Sequence, residues 1–245
     1  MQLLDRRRTL LLLIAALALV ALLPLATRSH EEPAAAITPA QLVIPGLDVA
    51  QLQWYVVRGG VPATSTPIAA PLREPRVRTS LVPQDRVRRG ERVFRSRPEG
   101  YDPAAIVIHA TGSGAPGSAF RSVGELGRFF SRPAARAASH YGVGRGGEIL
   151  RYVDDDDAAF HVATRGWNDI SIGIELLNDN TGTQPFTAAQ LAATSQLVRS
   201  LAVRHRIPLE GVVRHRDVQP TDRSDPARNF PWTAWRRALA QPASS

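Results

Sequence analysis

Ala104-Ala105-Ile106-Val107-Ile108-His109 is a short apolar run, rich in β-branched side chains, that stops on an imidazole. Its length and composition predict a buried strand rather than a surface helix. The chain leaves this strand through a glycine-rich loop, Thr111–Gly117 (TGSGAPG), which turns without forming a regular element. Downstream, Phe120–Arg136 carries apolar residues at helical intervals and is stopped near Ser131-Arg132-Pro133. His140–Val153 (HYGVGRGGEILRYV) reads as two strands around Gly146-Gly147, a hairpin signal. Ser171–Leu177 (SIGIELL) is another strand. Thr187 and Gln190 have capping-box spacing and open a helix whose apolar face holds Leu191, Val198, Leu201 and Ala202. Gly211–His215 (GVVRH) is a strand, and Pro231–Ala240 a last helix with Trp232 and Trp235. Strands and helices in this order predict an α/β domain, with a central mostly mixed β-sheet flanked by helices, over residues 101–245.

Upstream of that domain the character changes. Residues 29–100 are proline-rich and irregular, a linker. Only residues 41–60 have the valine, leucine and aromatic content for a small docked element, a short strand or helix. Before them, Arg6-Arg7-Arg8 precedes an unbroken apolar run from Leu10 to Ala26. That order is a secretory signal, removed after Ala26 or kept as a single membrane anchor over residues 1–28. Pro24 fits the small-residue rule for such a cut poorly. The arginines hold the cytoplasmic side, so the rest of the chain is expected outside, in a periplasm or at a cell surface.

The 245 residues contain 30 basic side chains, all of them arginine, and a formal charge of +8. Residues 1–100 hold 14 arginines against 8 acids, and residues 101–245 hold 16 against 14. The basic balance therefore lies ahead of the domain. The arginines of residues 73–97 are scattered among prolines and valines, with acids between them, so no nucleic-acid partner is expected. Cysteine is absent, which excludes a disulfide scaffold, a thiolate metal site, a cysteine nucleophile and lipoprotein processing. A metal here would need His, Asp or Glu.

Of six histidines, His30 lies in the linker and His205 closes the long helix, where a basic side chain suits the C-terminus. His109 and His215 each end an apolar strand. Alone, either is an ordinary satisfied histidine; two at strand ends can converge on one sheet edge, where sites form. Glu175 sits among Ile172, Ile174 and Leu176. An unpaired charge there is costly, so it is either an ion pair at a strand edge or a functional carboxylate. Asp154–Asp157 lacks calcium-loop spacing and reads as a solvated turn.

Four blocks occur in a fixed order: IVIHAT, SHYGVGRGGEILRYV, AFHVATRGWNDISIGIELLN and RHRDVQPTDRSDP. Together they resemble the type 2 N-acetylmuramoyl-L-alanine amidases, a family that includes bacterial muropeptide amidases, phage lysozymes and animal peptidoglycan recognition proteins. The resemblance covers about residues 101–240. It implies one Zn2+ held by His109, His215 and Asp225, with Asp217 and Asp222 as less suitable rivals for the third place. Three protein ligands leave a fourth position for water. It implies Glu175 as general base or acid, its pKa raised by burial. Arg223 stands where many bacterial members carry lysine, and is either an oxyanion-stabilising catalytic group or a surface arginine. His161 would contact substrate or assist the oxyanion; His140 has no settled role. The implied reaction is hydrolysis of the amide between N-acetylmuramic acid and L-alanine, on peptidoglycan or soluble muropeptides, by a monomer. The rival reading is a non-catalytic peptidoglycan-binding module of the same fold.

Overall fold

The computed structural model describes residues 65–82, 92–132, 134–164 and 166–242. Among them the strands are β1 (Val77–Thr79), β2 (Phe94–Ser96), β3 (Ala105–Ala110), β4 (Tyr141–Val143), β5 (Ile149–Arg151), β6 (Asp157–Ala159), β7 (Ser171–Leu176) and β8 (Val212–Arg214). The α-helices are α1 (Val123–Phe130), α2 (Trp167–Ile170), α3 (Ala188–His205), α4 (His215–Val218) and α5 (Trp232–Leu239). Six strands form one mixed sheet in the order β1-β5-β4-β7-β3-β8, and β2 pairs with β6 in a separate antiparallel ribbon. The expected α/β architecture with a central mixed sheet is thus the observed one. The leader at residues 1–28 and the docked element at 41–60 lie outside the described residues.

β3 is parallel to both neighbours, β7 and β8, and every residue of it is buried. A strand covered on both faces needs no polar alternation, which is why its sequence is a continuous apolar run. Side chains still alternate between faces. Ile106, Ile108 and Ala110, with Ile172, Ile174 and Leu176 of β7, join the core beneath α3 and α5, against Leu197, Val198, Leu201 and Trp235. Ala105 and Val107 face the other way, toward Trp167, Ile170, Val213 and Val218. The same parity puts His109 and its paired residue Glu175 on that second face.

The helix read from Phe120 to Arg136 is shorter. Ser122 caps it by accepting from the Glu125 amide, and it ends at Phe130. The residue before a proline disfavours helical backbone, so Pro133 ends the pattern early. Phe120 packs outside the helix, on the cluster of Leu126, Phe130, Leu150 and Tyr152. The hairpin is as read: β4 and β5 are antiparallel, and Gly147 turns the chain at φ +89°, where a side chain would be strained. Thr187 caps α3 by accepting from the Gln190 amide at 3.1 Å. The reciprocal half of the capping box is not made, because the Gln190 side chain is buried and donates to Val143 and Leu177 carbonyls at 3.0 and 3.2 Å. α5 is one residue shorter at each end than its reading, with Pro231 and Ala240 as caps.

Two further differences bear on the site. The strand read as Gly211–His215 ends at Arg214, and His215 begins α4. Asp217 makes that break by accepting from the Arg214 amide at 3.1 Å and pairing with its guanidinium at 2.7 Å. The four acids after β5 do form a turn, closed by the Asp157 amide on the Asp154 carbonyl. It is not a uniformly solvated one, since Asp155 is buried, holding the Tyr141 hydroxyl at 2.7 Å and the His205 ring at 3.1 Å. A buried carboxylate is tolerable only with such partners.

Candidate metal centre and active-site cleft

β3 delivers His109, the α4 start delivers His215, and the loop ten residues further on delivers Asp225. All three are buried, with one ligand-capable atom from each lying within 4.8 Å of the others. His109 Nδ1 is 2.9 Å from His215 Nδ1 and 3.5 Å from Asp225 Oδ2. His215 Nδ1 is 3.1 Å from Asp225, whose Oδ2 also accepts from the Ala110 amide at 3.2 Å. That last bond ties the loop back to the strand carrying His109.

The surrounding bonds dictate what the His215 ring presents. Gln219 Oε1 accepts from the Ala163 amide at 2.9 Å, and its amide nitrogen donates to Asp222 at 2.7 Å. With the amide so oriented, His215 Nε2, 3.2 Å from Gln219 Oε1, must be the donor. Burial, reinforced by the nearby His215, lowers the His109 pKa to about 4. The ring is therefore neutral at pH 7. Burial alone would raise the Asp225 pKa, but its contacts with His109 and His215 outweigh it and hold the carboxyl well below the usual range. Two imidazoles and one carboxylate converging in a buried spot could hold a metal ion, and N2O donor sets of this kind suit zinc.

Beside these groups lies a cleft of about 280 Å³, lined by Glu175, His161, Thr111, Phe130, Ser139 and Arg223 as well as the three candidate ligands. Glu175 Oε2 is buried with no hydrogen-bond partner among the described residues. Burial, with the charge of Asp225 added, pushes the Glu175 carboxyl up to about 8. Of the two sequence readings of this residue, the strand-edge ion pair is absent among the described residues. Arg223 stands exposed at the rim, Nη1 3.1 Å from the Asp222 carbonyl oxygen and 3.4 Å from its carboxylate. His161 is buried against His109, with its Nδ1 2.9 Å from His109 Nε2. His140 belongs to the core: its Nδ1 accepts from the Gly173 amide at 3.0 Å, which leaves Nε2 to donate to the Asp157 carbonyl at 3.0 Å. Asp217 caps α4 and Asp222 is exposed, so neither rival joins the three.

Sequence reasoning passed over Gln219, Ser139 and Ser171. Gln219 could have been found, since it lies four residues after His215, the spacing at which helical side chains meet. Ser139 and Ser171 carry no comparable signal.

Residues 99–228 match the family model described as N-acetylmuramoyl-L-alanine amidase. The 1,6-anhydro-N-acetylmuramyl-L-alanine amidase AmpD of Citrobacter freundii is 32% identical over 115 residues, covering 44% of this chain and 60% of that protein. The N-acetylmuramoyl-L-alanine amidase AmiD of Escherichia coli K12 is 35% identical over 99 residues, 34% of this chain and 35% of that protein. The chain thus spans 60% or less of the length of these two relatives. The crystal structure of AmpD superposes with a TM-score of 0.53 at 26% identity, covering 67% of this chain and 94% of that one. The catalytic domain of XlyA has the same TM-score at 21% identity, with 67% and 99% covered, and shares the fold.

Proposed function

This chain belongs to the N-acetylmuramoyl-L-alanine amidase family, whose model matches more than half of it, and from that premise we propose that it is a zinc amidase of peptidoglycan fragments. The substrate would carry an amide between N-acetylmuramic acid and L-alanine, as the names of its relatives indicate for them. The observation that carries the proposal is the convergence of His109, His215 and Asp225 beside Glu175 in one cleft. A complete N2O set favours an enzyme over a module that only binds.

His109, His215 and Asp225 would hold the Zn2+, which when bound supplies a Lewis acid for water and carbonyl. The chain's own groups account for the rest. Water adds to the carbonyl carbon, the C–N bond breaks, and the amine of L-alanine leaves with a proton. Glu175 takes the proton from water and returns it to the departing nitrogen. In the metal-free protein that carboxyl is pushed up to about 8, and a cation beside it would bring it down toward neutrality, where one group can both take and return a proton. Arg223 at the rim would bring positive charge toward the carbonyl oxygen as it gains negative charge. His161 would help shape the floor of the cleft.

The test is a digest of a defined anhydro-muropeptide with zinc-loaded protein, followed by mass spectrometry. Glu175→Gln should retain zinc and lose about 10²–10⁴-fold in release of stem peptide; undiminished turnover would sink the mechanism. Intact sacculi in parallel separate wall cleavage from trimming of soluble fragments. We also propose export, on the strength of residues 1–28. Fusing them to a reporter active only outside the cytoplasm should give signal, and a silent reporter would refute it.

A further inference from the structure

The amide network described for His215 has a counterpart behind His109, built from different residues. The Ser171 hydroxyl lies 2.5 Å from the Trp167 carbonyl oxygen and donates to it. A hydroxyl has one proton, so its 3.2 Å contact with His161 Nε2 must be filled by a proton on that nitrogen. His161 Nδ1 is then an acceptor, and the 2.9 Å contact with His109 Nε2 is filled by His109. His109 therefore keeps its Nδ1 lone pair, which faces His215 Nδ1 at 2.9 Å. Each link has one direction, because a backbone carbonyl, which can only accept, ends the chain.

All three residues in this chain are buried, Ser171 at 0% exposure. The backbone leaves room for it at one place: a Cβ on Gly173 would stand 2.6 Å from His161 Cγ. On β7, then, Ser171 holds one side of the His161 ring, and the bare glycine two residues later lets the ring lie against the sheet. Both belong to the face that parity already assigned to Glu175.

We propose that Ser171 and His161 are positioning residues that fix the tautomer and orientation of His109, so that Nδ1 is the nitrogen offered to the metal. This rests on reading His109, His215 and Asp225 as a metal site. Outer partners of ligating histidines typically change metal affinity about 10–100-fold.

The experiment measures zinc dissociation constants of the full chain by competition with a chromophoric chelator. His161→Phe preserves bulk and removes both ring nitrogens, and should weaken zinc by about 10–100-fold. His161→Gln keeps an acceptor toward His109 and a donor toward Ser171, and should recover to within about threefold of wild type. Ser171→Ala should fall between them. Long-range proton–nitrogen spectra of the zinc-loaded wild type should show protons on Nε2 of both His109 and His161. A folded His161→Phe protein that binds zinc as tightly as wild type overturns the proposal. So does a wild-type His161 protonated on Nδ1, a readout that decides the matter even if the variants do not fold. If the wild type takes up no zinc, the metal reading itself has failed, before any substitution, and the positioning role falls with it.

Discussion

Glu175 is the residue at which stability and the proposed function pull in opposite directions. Its carboxyl has one buried oxygen without a partner among the described residues and a folded-state pKa raised from 4.5 to about 8. The folded protein therefore binds this proton more tightly than the unfolded chain does, and stability falls as pH rises from about 4.5 toward 8. In the metal-free protein, Glu175→Gln should leave melting at pH 5 nearly unchanged. At pH 9 it should gain on the order of 2 kcal/mol over wild type, after allowance for the carboxyl's partial exposure. Thermal melts of both proteins at the two pH values check it, and a variant less stable than wild type at pH 9 would contradict the assignment. Asp225 is the opposite case, a carboxylate with histidine and amide partners already in place. Asp225→Ala should cost zinc binding by orders of magnitude, read as metal content after gel filtration, because two imidazoles alone seldom retain the ion.

At the scale of single elements, the sequence was most legible where periodicity and burial agree. β3, β7 and the β4–β5 hairpin follow directly from apolar runs and a glycine turn, and α3 from its cap and stripe. Parity along β3 and β7 then sets His109 beside Glu175, which makes half the site a consequence of strand register. Asp225, by contrast, sits in a loop whose position is set by long-range bonds, and only the family resemblance reached it. β1 was invisible because three residues between prolines carry no period. The burial of Asp155 was invisible for another reason: its partners Tyr141, Arg204 and His205 come from two other elements. That cluster fastens the end of α3 to the sheet and yields a prediction of its own. Burial raises the Asp155 pKa, but hydrogen bonds from His205 and Tyr141 outweigh it and bring the carboxyl down to about 2, below the ordinary 3.8. Its stabilising contribution is thus complete above about pH 4 and lost as pH falls toward 2. Wild type should exceed Asp155→Asn by roughly 2 kcal/mol at pH 6 and by nearly nothing at pH 2. Urea melts across that range measure the difference.

At the scale of the whole molecule, the family match begins at residue 99, but the fold takes hold earlier. Ile68 is in the main core, β1 extends the sheet beyond β5, and β2 pairs with β6. Arg199 on α3 donates to the Ala69 carbonyl at 2.9 Å and to Ala238 at 2.6 Å, joining the upstream segment to the end of α5. Arg97 goes deepest. Burial lowers its pKa to about 10, so it stays charged at neutral pH. Its guanidinium donates to the carbonyls of Asp155, Asn168, Asp169 and Ser171, at 2.9, 3.0, 2.7 and 3.0 Å. Removing it strands several buried acceptors at once, and Arg97→Met should cost on the order of 3–5 kcal/mol. A chain beginning at Tyr101 loses Arg97, β1, β2 and the Ile68 contact together, and should melt roughly 10 °C or more below one beginning at Ser65. Equal melting of the two would show that the upstream residues only decorate the domain. The loss should also reach the site, because Arg97 holds the corner at which α2 passes into β7, where Ser171 stands. With that corner loosened, the chain beginning at Tyr101 should bind zinc more weakly than the longer one even at temperatures where both are folded. Zinc titration well below both melting points tests this, and equal affinity would confine the role of Arg97 to stability.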